Sequence, residues 1–238
     1  SLVLDSGTAI TPAVMAVLGN FGCVTPVVHR HVNVAILTTG DEVLPTSTPE
    51  LKPWQLRNSN AAAIESMIRS SPLANIRLVE HVADDQKALR ESLELASRQS
   101  DVVLMTGGVS KGDYDYVPET IASIGGKIVF LGLPIRPGKP ILAATTSSGG
   151  LILGLPGNPV SATINCHRFA MPLIRRIAGQ TDWRNGCPSV MLDDAPTKTI
   201  PLHRMLPVRM SSNNTAKALP GLGSGDLVSL GKSSGYVS

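Results

Sequence analysis

The feature that most constrains the fold is an alternation of short apolar runs with helical patterns, which extends from residue 31 to about residue 178. Glycine, proline or polar residues separate each run from the next. This order is typical of βαβ units, in which helices join parallel strands and cover both faces of a sheet. We therefore predict an α/β domain with a mostly parallel sheet in three layers.

The same patterns predict where the elements of this domain lie. Strands are predicted at residues 32–37, 76–82, 101–105, 127–131, 141–144 and 151–153. Helices are predicted to begin after residues that suit the N-cap position, namely Asn58 or Ser59, Asp84, Asp115 and Asn158. Pro159 suits the first position of the last helix, and Pro172 is expected to kink or break it.

Two flanking segments have a different pattern. The pattern of residues 1–30 predicts a helix from Thr11 to Leu18 and a strand from Val24 to Val28. Together these two elements are too small to bury a core of their own. After residue 182, apolar pieces alternate with Pro, Gly, Ser and Asn, which predicts a small all-β domain. Its predicted strands are Val190–Leu192, Met205–Met210 and Leu227–Leu230. The predicted divisions of the chain are residues 1–30, 31–181 and 182–238.

Charge and composition argue against two classes of partner. The net charge is +3, no Lys/Arg-rich run is present, and aromatic residues make up 3% of the chain. Nucleic-acid binding usually needs a basic patch or aromatic side chains on which bases stack, so we expect no nucleic-acid partner. No apolar stretch reaches about 18 residues, so we also expect no membrane span.

The cysteines and the first residues bear on the compartment. Cys23, Cys166 and Cys187 are far apart and form no C-x-x-C pair, which favours a reducing compartment over a structural zinc site. The opening residues SLVLDSG lack the basic region of a secretory signal, so we expect a cytoplasmic protein. They do not resemble a natural start either, and the chain is expected to be part of a longer protein.

Residues 101–115, DVVLMTGGVSKGDYD, combine a buried strand, a glycine turn and the start of a helix. Glycines let backbone N–H groups approach an oxyanion, and a helix N-terminus adds partial positive charge. The spacing matches neither G-x-x-x-x-G-K-[ST] nor G-x-G-x-x-G, so the two commonest nucleotide motifs are absent. An anion site and an ordinary strand-to-helix turn both remain open from these residues alone.

Polar clusters follow four predicted strands, at residues 40–42, 84–85, 106–115 and 155–158. Open α/β sheets bind ligands at the carboxyl ends of their strands, so four such clusters favour a site there. Asp84 and Asp115 could serve only as helix caps. Together with Glu42, they could instead act as metal ligands or as acid and base groups.

The segment Arg136-Pro137-Gly138-Lys139-Pro140 places two cations around a stiff turn. Prolines on both sides limit the freedom of the loop, which suits a phosphate clamp formed before the ligand arrives. A solvated loop explains the same residues equally well.

Four motifs, taken together, resemble a known family. They are TTGDE (38–42), TGGVSKGDYD (106–115), RPGKP (136–140) and LPGNPVSA (155–162). In this order they closely resemble the molybdopterin molybdotransferases, the MoeA and gephyrin E-domain family of molybdenum-cofactor synthesis. Residues 219–230, LPGLGSGDLVSL, resemble the C-terminal β domain of that family, and residues 1–30 resemble the tail of its linker domain.

The resemblance implies a molybdopterin-binding, MogA-like α/β domain that inserts molybdate into adenylylated molybdopterin and releases AMP, with Mg²⁺. It also implies a homodimer, with molybdopterin adenylyltransferase as a candidate partner. Glu42, Asp84 and Asp115 would be the catalytic and metal-binding acids. The substrate-binding residues that it implies are Gly40, Asp41, Ser59, Thr106, Gly107, Gly108, Ser110, Arg136, Lys139, Pro156, Gly157, Asn158 and Pro159.

Three alternatives stay open. The chain could be a molybdopterin adenylyltransferase, a non-catalytic module that holds the cofactor or a protein partner, or a generic nucleotide-binding domain. One departure from the family bears on activity, because the sequence lacks an N-terminal region that helps to close the active site across the family's dimer. The resemblance therefore predicts that this chain binds substrate but turns it over poorly.

Overall fold

The computed structural model describes residues 2–108, 116–184, 186–193, 200–211, 215–220, 223 and 225–238. The strands are β1 (Val32–Thr39), β2 (Val43–Leu44), β3 (Leu56–Arg57), β4 (Ala74–Val82), β5 (Val102–Thr106), β6 (Lys127–Leu131), β7 (Ile135–Arg136), β8 (Leu142–Thr145), β9 (Leu151–Leu155), β10 (Met191–Leu192), β11 (His203–Arg204), β12 (Leu206–Met210), β13 (Thr215–Ala218) and β14 (Gly235–Val237). The α-helices are α1 (Pro12–Asn20), α2 (Ser59–Arg69), α3 (Gln86–Gln99), α4 (Val117–Ser123), α5 (Pro159–Asn165), α6 (Met171–Ile177) and α7 (Leu227–Gly231), and a π-helical turn spans Cys166–Ala170.

A six-stranded sheet with the order β4-β1-β5-β9-β8-β6 forms the centre of the molecule. The first four strands pair in parallel, and β8 alone runs opposite to its neighbours β9 and β6. All six predicted strands are present. The prediction of a mostly parallel α/β sheet is confirmed.

Helices cover both faces of this sheet. Ile36 of β1 belongs to the same buried cluster as Ile64 of α2, together with residues of α5 and α6. Its neighbour Leu37 points to the other face and clusters with Leu93 of α3 and Ile121 of α4. Because successive side chains of a strand point to opposite faces, an unbroken apolar run such as β1 must be covered on both sides.

The chain changes direction across the sheet at β1. It passes from β1 through α2 to β4 on one side, and returns through α3 to β5 on the other side of β1. In an open α/β sheet, such a switch leaves a crevice between the carboxyl ends of the two strands, and ligands bind there. The fold therefore directs attention to the ends of β1 and β5.

One predicted helix cap is wrong. The N-cap of α3 is Asp85, not Asp84, and its side-chain oxygen accepts a hydrogen bond from the Ala88 N–H at 2.8 Å. Asp84 is engaged elsewhere, because its N–H and its carboxylate both bond to Asp41. The other acidic cap prediction falls on Asp115, which lies outside the described residues; α4 has Tyr116 at its N-cap position.

The helix predicted to break at Pro172 stays helical from Pro159 to Ile177. Proline has no N–H and clashes with the carbonyl four residues earlier in a regular α-helix. The π-helical turn Cys166–Ala170 precedes it, and in this turn the Met171 N–H donates to the Cys166 carbonyl. A π-turn widens the helix locally, so the proline is accommodated without a break. Asn158 occupies the N-cap position as predicted, but its side chain makes no capping hydrogen bond.

The C-terminal region forms a four-stranded, mostly antiparallel sheet with the order β10-β13-β12-β14. The predicted strand at Leu227–Leu230 is wrong, because these residues begin α7. The Asp226 carboxylate accepts hydrogen bonds from the Ser229 N–H at 3.0 Å and from the Ser229 hydroxyl at 2.6 Å, which stabilises a helix start. In the N-terminal segment, α1 is present with Thr11 as its cap, but Val24–Val28 forms no strand.

The C-terminal region packs directly on the α/β domain. Met205 is buried in the cluster under α2 and α5, and Tyr236 packs against the same cluster. The Tyr236 hydroxyl lies 2.9 Å from Nδ1 of His167, whose pKa is lowered by burial and by the nearby charges of Arg175 and Arg168. Among the described residues, no helix is both long and apolar enough to cross a bilayer.

An ion pair ties the N-terminal segment to the sheet. The Arg30 guanidinium donates to both carboxylate oxygens of Asp101 at 2.7 and 2.6 Å, and the Asn33 N–H donates to the same carboxylate at 2.8 Å. The bonds from Arg30, more than that from Asn33, lower the pKa of Asp101 below its ordinary value of 3.8, against an opposing effect of burial.

We predict that Asp101→Asn reduces the free energy of unfolding at neutral pH by about 0.5–1 kcal/mol, since Arg30 is largely solvated. A carboxylate whose folded-state pKa is depressed stabilises the fold above its unfolded-state pKa. This contribution is lost as the pH falls through the folded-state pKa, so the two proteins should converge at low pH. Urea unfolding between neutral and acidic pH tests this, with Glu50→Gln, which removes an exposed carboxylate, as the control. A difference that persists unchanged at the lowest pH would contradict it.

Candidate active site

The polar clusters predicted at strand ends lie along one edge of the sheet. Thr38 of β1 pairs in register with Thr106 of β5, which pairs with Leu155 of β9. The loops that follow these strands are therefore neighbours. All three residues are buried, so the loops rise directly from the core and not from a solvated rim.

The glycine turn after β5 is packed against the end of β1. Gly107 and Gly108 have φ values of 90° and 61°, in the left-handed region that favours glycine. A Cβ on Gly107 would lie 2.5 Å from the hydroxyl and 2.7 Å from the carbonyl oxygen of Thr39. A Cβ on Gly157 would lie 3.8 Å from the Gly107 Cα. Three loops thus meet at contact distance, and at Gly107 the approach to Thr39 leaves no room for a side chain.

The acidic residues lie at the β4 and β1 end of this edge. Asp84, half-buried after β4, accepts a hydrogen bond from the Asp41 N–H at 3.3 Å, and its own N–H donates to the Asp41 carboxylate at 3.0 Å. The exposed Glu42 side chain turns back, so that both of its carboxylate oxygens would lie 3.1 Å from a Cβ on Gly40. Gly40 itself has a φ of 128°.

The carboxylates of Glu42 and Asp84 are the donor type that Mg²⁺ prefers. Magnesium commonly takes only one or two protein carboxylates and completes its shell with waters and substrate phosphates, so this donor pair fits such an ion. Within the part of the chain that the structure describes, no group of three His, Cys, Asp or Glu residues could hold a metal. The third predicted ligand, Asp115, lies outside that part, as do Ser110 and Lys111.

Sequence analysis missed Asn60, which bridges two loops of the site. Its side-chain amide donates to the Gly157 carbonyl at 2.8 Å and contacts the Thr106 hydroxyl at 3.4 Å. Its Oδ1 is buried and has no partner among the described residues. The only signal in the sequence was a second asparagine in the first turn of α2, directly after the predicted cap.

The cap residue itself has a second role. Asn58 accepts the Ala61 N–H at 3.0 Å, as an N-cap should, and also donates to the Thr38 hydroxyl at 2.8 Å. That hydroxyl lies 3.0 Å from Nδ1 of His81 in β4. The start of α2 is thereby fixed to the ends of β1 and β4, with the half-buried Ser59 at the first helical position.

The loop with Arg136 and Lys139 reaches the same edge because β8 is antiparallel. Leu142 at the start of β8 pairs with Gly154 near the end of β9. Both cations are exposed, and neither forms an ion pair with a residue that the structure describes. The Arg136–Pro137 peptide bond is cis.

The backbone of this loop is held from the C-terminal region. The strands β7 and β11 pair in parallel, and the Met205 N–H donates to the Arg136 carbonyl at 2.7 Å. The same pairing brings Arg204, also exposed, into register with Arg136. Sequence analysis did not find this third cation, because only the pairing of two distant segments places it there.

The loop between β9 and α5 supplies the remaining predicted residues. Pro156 is buried, Gly157 and Asn158 are exposed, and Pro159 is half-buried at the start of α5. Gly157 makes the contacts with Gly107 and Asn60 described above. The structure thus brings every described residue of the predicted site to one edge of the sheet, with acids at one end and cations at the other.

Comparison with known proteins gives a consistent result. A family model described as a probable molybdopterin binding domain matches residues 35–176. A molybdopterin molybdenumtransferase from Nostoc sp. is 38% identical over 179 residues, which are 74% of this chain and 41% of that protein. One from Synechocystis sp. is 28% identical over 244 aligned residues, 99% of this chain and 58% of that protein. The chain spans about half the length of these relatives.

Solved structures agree with the fold. Two structures of molybdopterin biosynthesis MoeA protein from Pyrococcus horikoshii give TM-scores of 0.75 and 0.80, at 26% and 20% identity. The matches cover 98% and 99% of this chain and 56% of each of those chains. The similarity therefore includes the C-terminal β region as well as the α/β domain.

We predict that Gly107→Ala lowers the free energy of unfolding more than Gly149→Ala does. Both glycines have a positive φ, so alanine should cost about 1–2 kcal/mol at either position from backbone strain. A Cβ at Gly149 meets nothing within 4 Å, whereas at Gly107 it overlaps Thr39, which should add about 1–3 kcal/mol. Urea unfolding of both variants tests this. Equal losses would mean that the glycine turn after β5 does not contact Thr39 at the end of β1.

Proposed function

The chain belongs to the family whose model is described as a probable molybdopterin binding domain, and from this premise we propose that it binds a molybdopterin substrate at the carboxyl edge of its sheet. We propose further that the reaction is insertion of molybdate into adenylylated molybdopterin, with release of AMP. The names of the curated relatives support this reaction, since they are molybdopterin molybdenumtransferases.

One observation carries the proposal. The acids, the packed glycine turn and the cation loop share a single edge of the sheet, and all of them lie within the span that the family model matches. A substrate with phosphates and an oxyanion partner needs positive charge, backbone donors and a means of neutralising phosphate. That edge offers each of these within a few strand spacings.

We assign the residues of this chain as follows. The exposed guanidinium of Arg136 and ammonium of Lys139 hold anionic oxygens of the two reactants, which aligns them for transfer. The turn at Gly107 and Gly108 brings backbone close to the pterin phosphate, with Thr106 at its base. The wall beyond is Pro156 to Pro159. Gly40, Asp41 and Ser59 complete the substrate site, and Ser110 joins it by the resemblance of its motif.

Glu42 and Asp84 would hold Mg²⁺, with Asp115 as the third acid of the motif. The ion, when bound, offsets phosphate charge and polarises phosphoryl oxygens. Asp41 has a supporting role, because its backbone N–H and its carboxylate fix the orientation of Asp84. Without a bound cation, the negative charges of Glu42 and Asp84 also repel the phosphate of the substrate.

The nearest alternative is molybdopterin adenylyltransferase, and a non-catalytic binding module is the next. Incubation with adenylylated molybdopterin, molybdate and Mg²⁺ separates them. AMP release with loading of molybdenum supports the transferase, and binding without AMP release supports the module. Pyrophosphate release from ATP and unmodified molybdopterin would instead identify the adenylyltransferase.

We propose a cytoplasmic homodimer, with molybdopterin adenylyltransferase as the partner that delivers the substrate. We also propose divisions of the chain near residues 30 and 181. The relatives are about twice as long as this chain, so efficient turnover is proposed to need the region that they have in addition. Comparing AMP release by this chain with that of a chain extended to the length of the relatives tests this point.

We predict that Lys139→Ala and Arg136→Ala each weaken binding of adenylylated molybdopterin by about 1.5–3 kcal/mol, the scale of a hydrogen bond to a charged group. Lys127→Ala is the matched control, because this exposed lysine lies at the opposite edge of the sheet. Isothermal calorimetry measures all three. If Lys139→Ala and Lys127→Ala bind the substrate with equal affinity, the loop of residues 136–140 is a solvated turn that does not contact the ligand.

We predict that Asp84→Asn raises the Mg²⁺ concentration for half-maximal AMP release on the order of tenfold or more. Asparagine keeps an oxygen that can accept the Asp41 N–H, so the loop should keep its shape. Asp85→Asn removes the same charge one residue away and keeps an N-cap side chain, so its Mg²⁺ dependence should be unchanged. An equal response of the two variants would mean that only the net charge of this loop matters.

A further inference from the structure

Asn165 is a buried polar residue to which neither the sequence motifs nor the proposed reaction assigns a role. Its side chain is 0% exposed, at the C-terminal end of α5. The amide nitrogen donates to the Ser161 carbonyl at 2.7 Å and to the Pro137 carbonyl at 3.3 Å. The amide oxygen is buried and has no partner among the described residues. A buried acceptor without a partner is costly, so packing alone does not explain an asparagine here.

Gly138 shows how closely the loop is fitted to this amide. It is buried with a φ of 110°, and a Cβ on it would overlap the Asn165 amide. The absence of a side chain at Gly138 therefore lets the amide reach the Pro137 carbonyl. The glycine and the asparagine form one contact surface between the loop and α5.

The loop is consequently held from two sides. The Met205 N–H fixes the Arg136 carbonyl from the C-terminal region, and Asn165 fixes the next carbonyl, that of Pro137, from α5. Within the loop, the Lys139 carbonyl accepts the Leu133 N–H at 3.0 Å. Both cations are exposed and form no ion pair with a described residue, so this backbone sets where their side chains begin.

Asn165 also links the cation loop to the loop after β9. Ser161, its other acceptor, lies in the first turn of α5, directly after the Pro156 to Pro159 segment. The π-helical turn begins at the residue after Asn165. Turns of this kind inside helices occur frequently at functional sites. One amide thus sets the spacing between two loops that the proposed substrate site uses.

We propose that Asn165 is a positioning residue, which holds Arg136 and Lys139 at the distance from the β9–α5 loop that substrate binding requires. This inference rests on the proposed function, in which the two cations hold anionic groups. Asn165 does not touch the ligand; it acts through the backbone of the cation loop.

A double-mutant cycle tests the proposal. Calorimetry with adenylylated molybdopterin, without molybdate, would compare Asn165→Ala, Lys139→Ala and the double variant, and urea unfolding would follow the same proteins. We expect Asn165→Ala to weaken binding about tenfold. In the double variant the loss should be smaller than the product of the two single losses, because the part of the Asn165 effect that acts through Lys139 is already gone, whereas the part through Arg136 remains. In stability the two changes should add, because Lys139 is exposed.

Gly138→Ala gives a second, independent measurement if Asn165→Ala does not fold. The new methyl group displaces the Asn165 amide and so shifts the loop, although Arg136 and Lys139 themselves are retained. Binding should therefore weaken, and the loss should couple to that of Lys139→Ala in the same way. Ser100→Ala is the control, since it removes a hydrogen bond to the Ala96 carbonyl at the end of α3, before β5 begins, and should not change affinity. If the loss of affinity in Asn165→Ala or Gly138→Ala simply multiplies with the loss in Lys139→Ala, Asn165 does not act through Lys139 and the positioning role is overturned. If Lys139→Ala and Arg136→Ala themselves bind normally, the proposed function fails first.

Discussion

The burial of β1 on every side is the constraint on which the rest of the structure depends. The strand is hydrogen-bonded to β4 and β5 along both edges, and helices cover both of its faces. Such a strand can carry polar side chains only near its two ends; Asn33 lies near its start, and Thr38 and Thr39 lie at its carboxyl end. Thr38 then receives Asn58 from α2, and Thr39 receives the glycine turn from β5. Polar groups that could bind a ligand are confined to this edge, because the rest of β1 is buried in the core.

The sequence predicted those parts of the fold that depend on local chemistry. Apolar runs predict the six strands of the main sheet, and all six are found. Two of the wrong predictions depend on single polar contacts. Asp84 and Asp85 are both good caps, and only the bond from Asp41 decides between them. The piece at Leu227–Leu230 is apolar enough for a strand, but the Asp226 cap makes it helical.

The candidate site was predictable in its motifs but not in its supports. The described residues of all four clusters lie at the predicted edge, since parallel strands bring their carboxyl ends together. Asn60, Asn165 and Arg204 were not found, because each acts through a partner far away in the chain. A single asparagine in a helix has no recognisable sequence pattern around it. Its role can be assigned only when the carbonyl group to which it donates is known. The C-terminal region matters for the same reason, because the Met205 N–H holds the cation loop from outside the α/β domain.

The distribution of charge along the edge bears on the shape of the ligand. Asp84 follows β4 and Glu42 follows β1, whereas the loop with Arg136 and Lys139 leads into β8. In the order β4-β1-β5-β9-β8, the strands that carry these loops are three to four strand spacings apart, about 14–19 Å. A single molybdate ion is too small to contact both ends, and Gly107 and Gly108 lie between them. An elongated substrate with anionic groups at a distance from one another can engage both. The separation therefore supports a pterin nucleotide as the ligand that spans the edge, with molybdate received beside it.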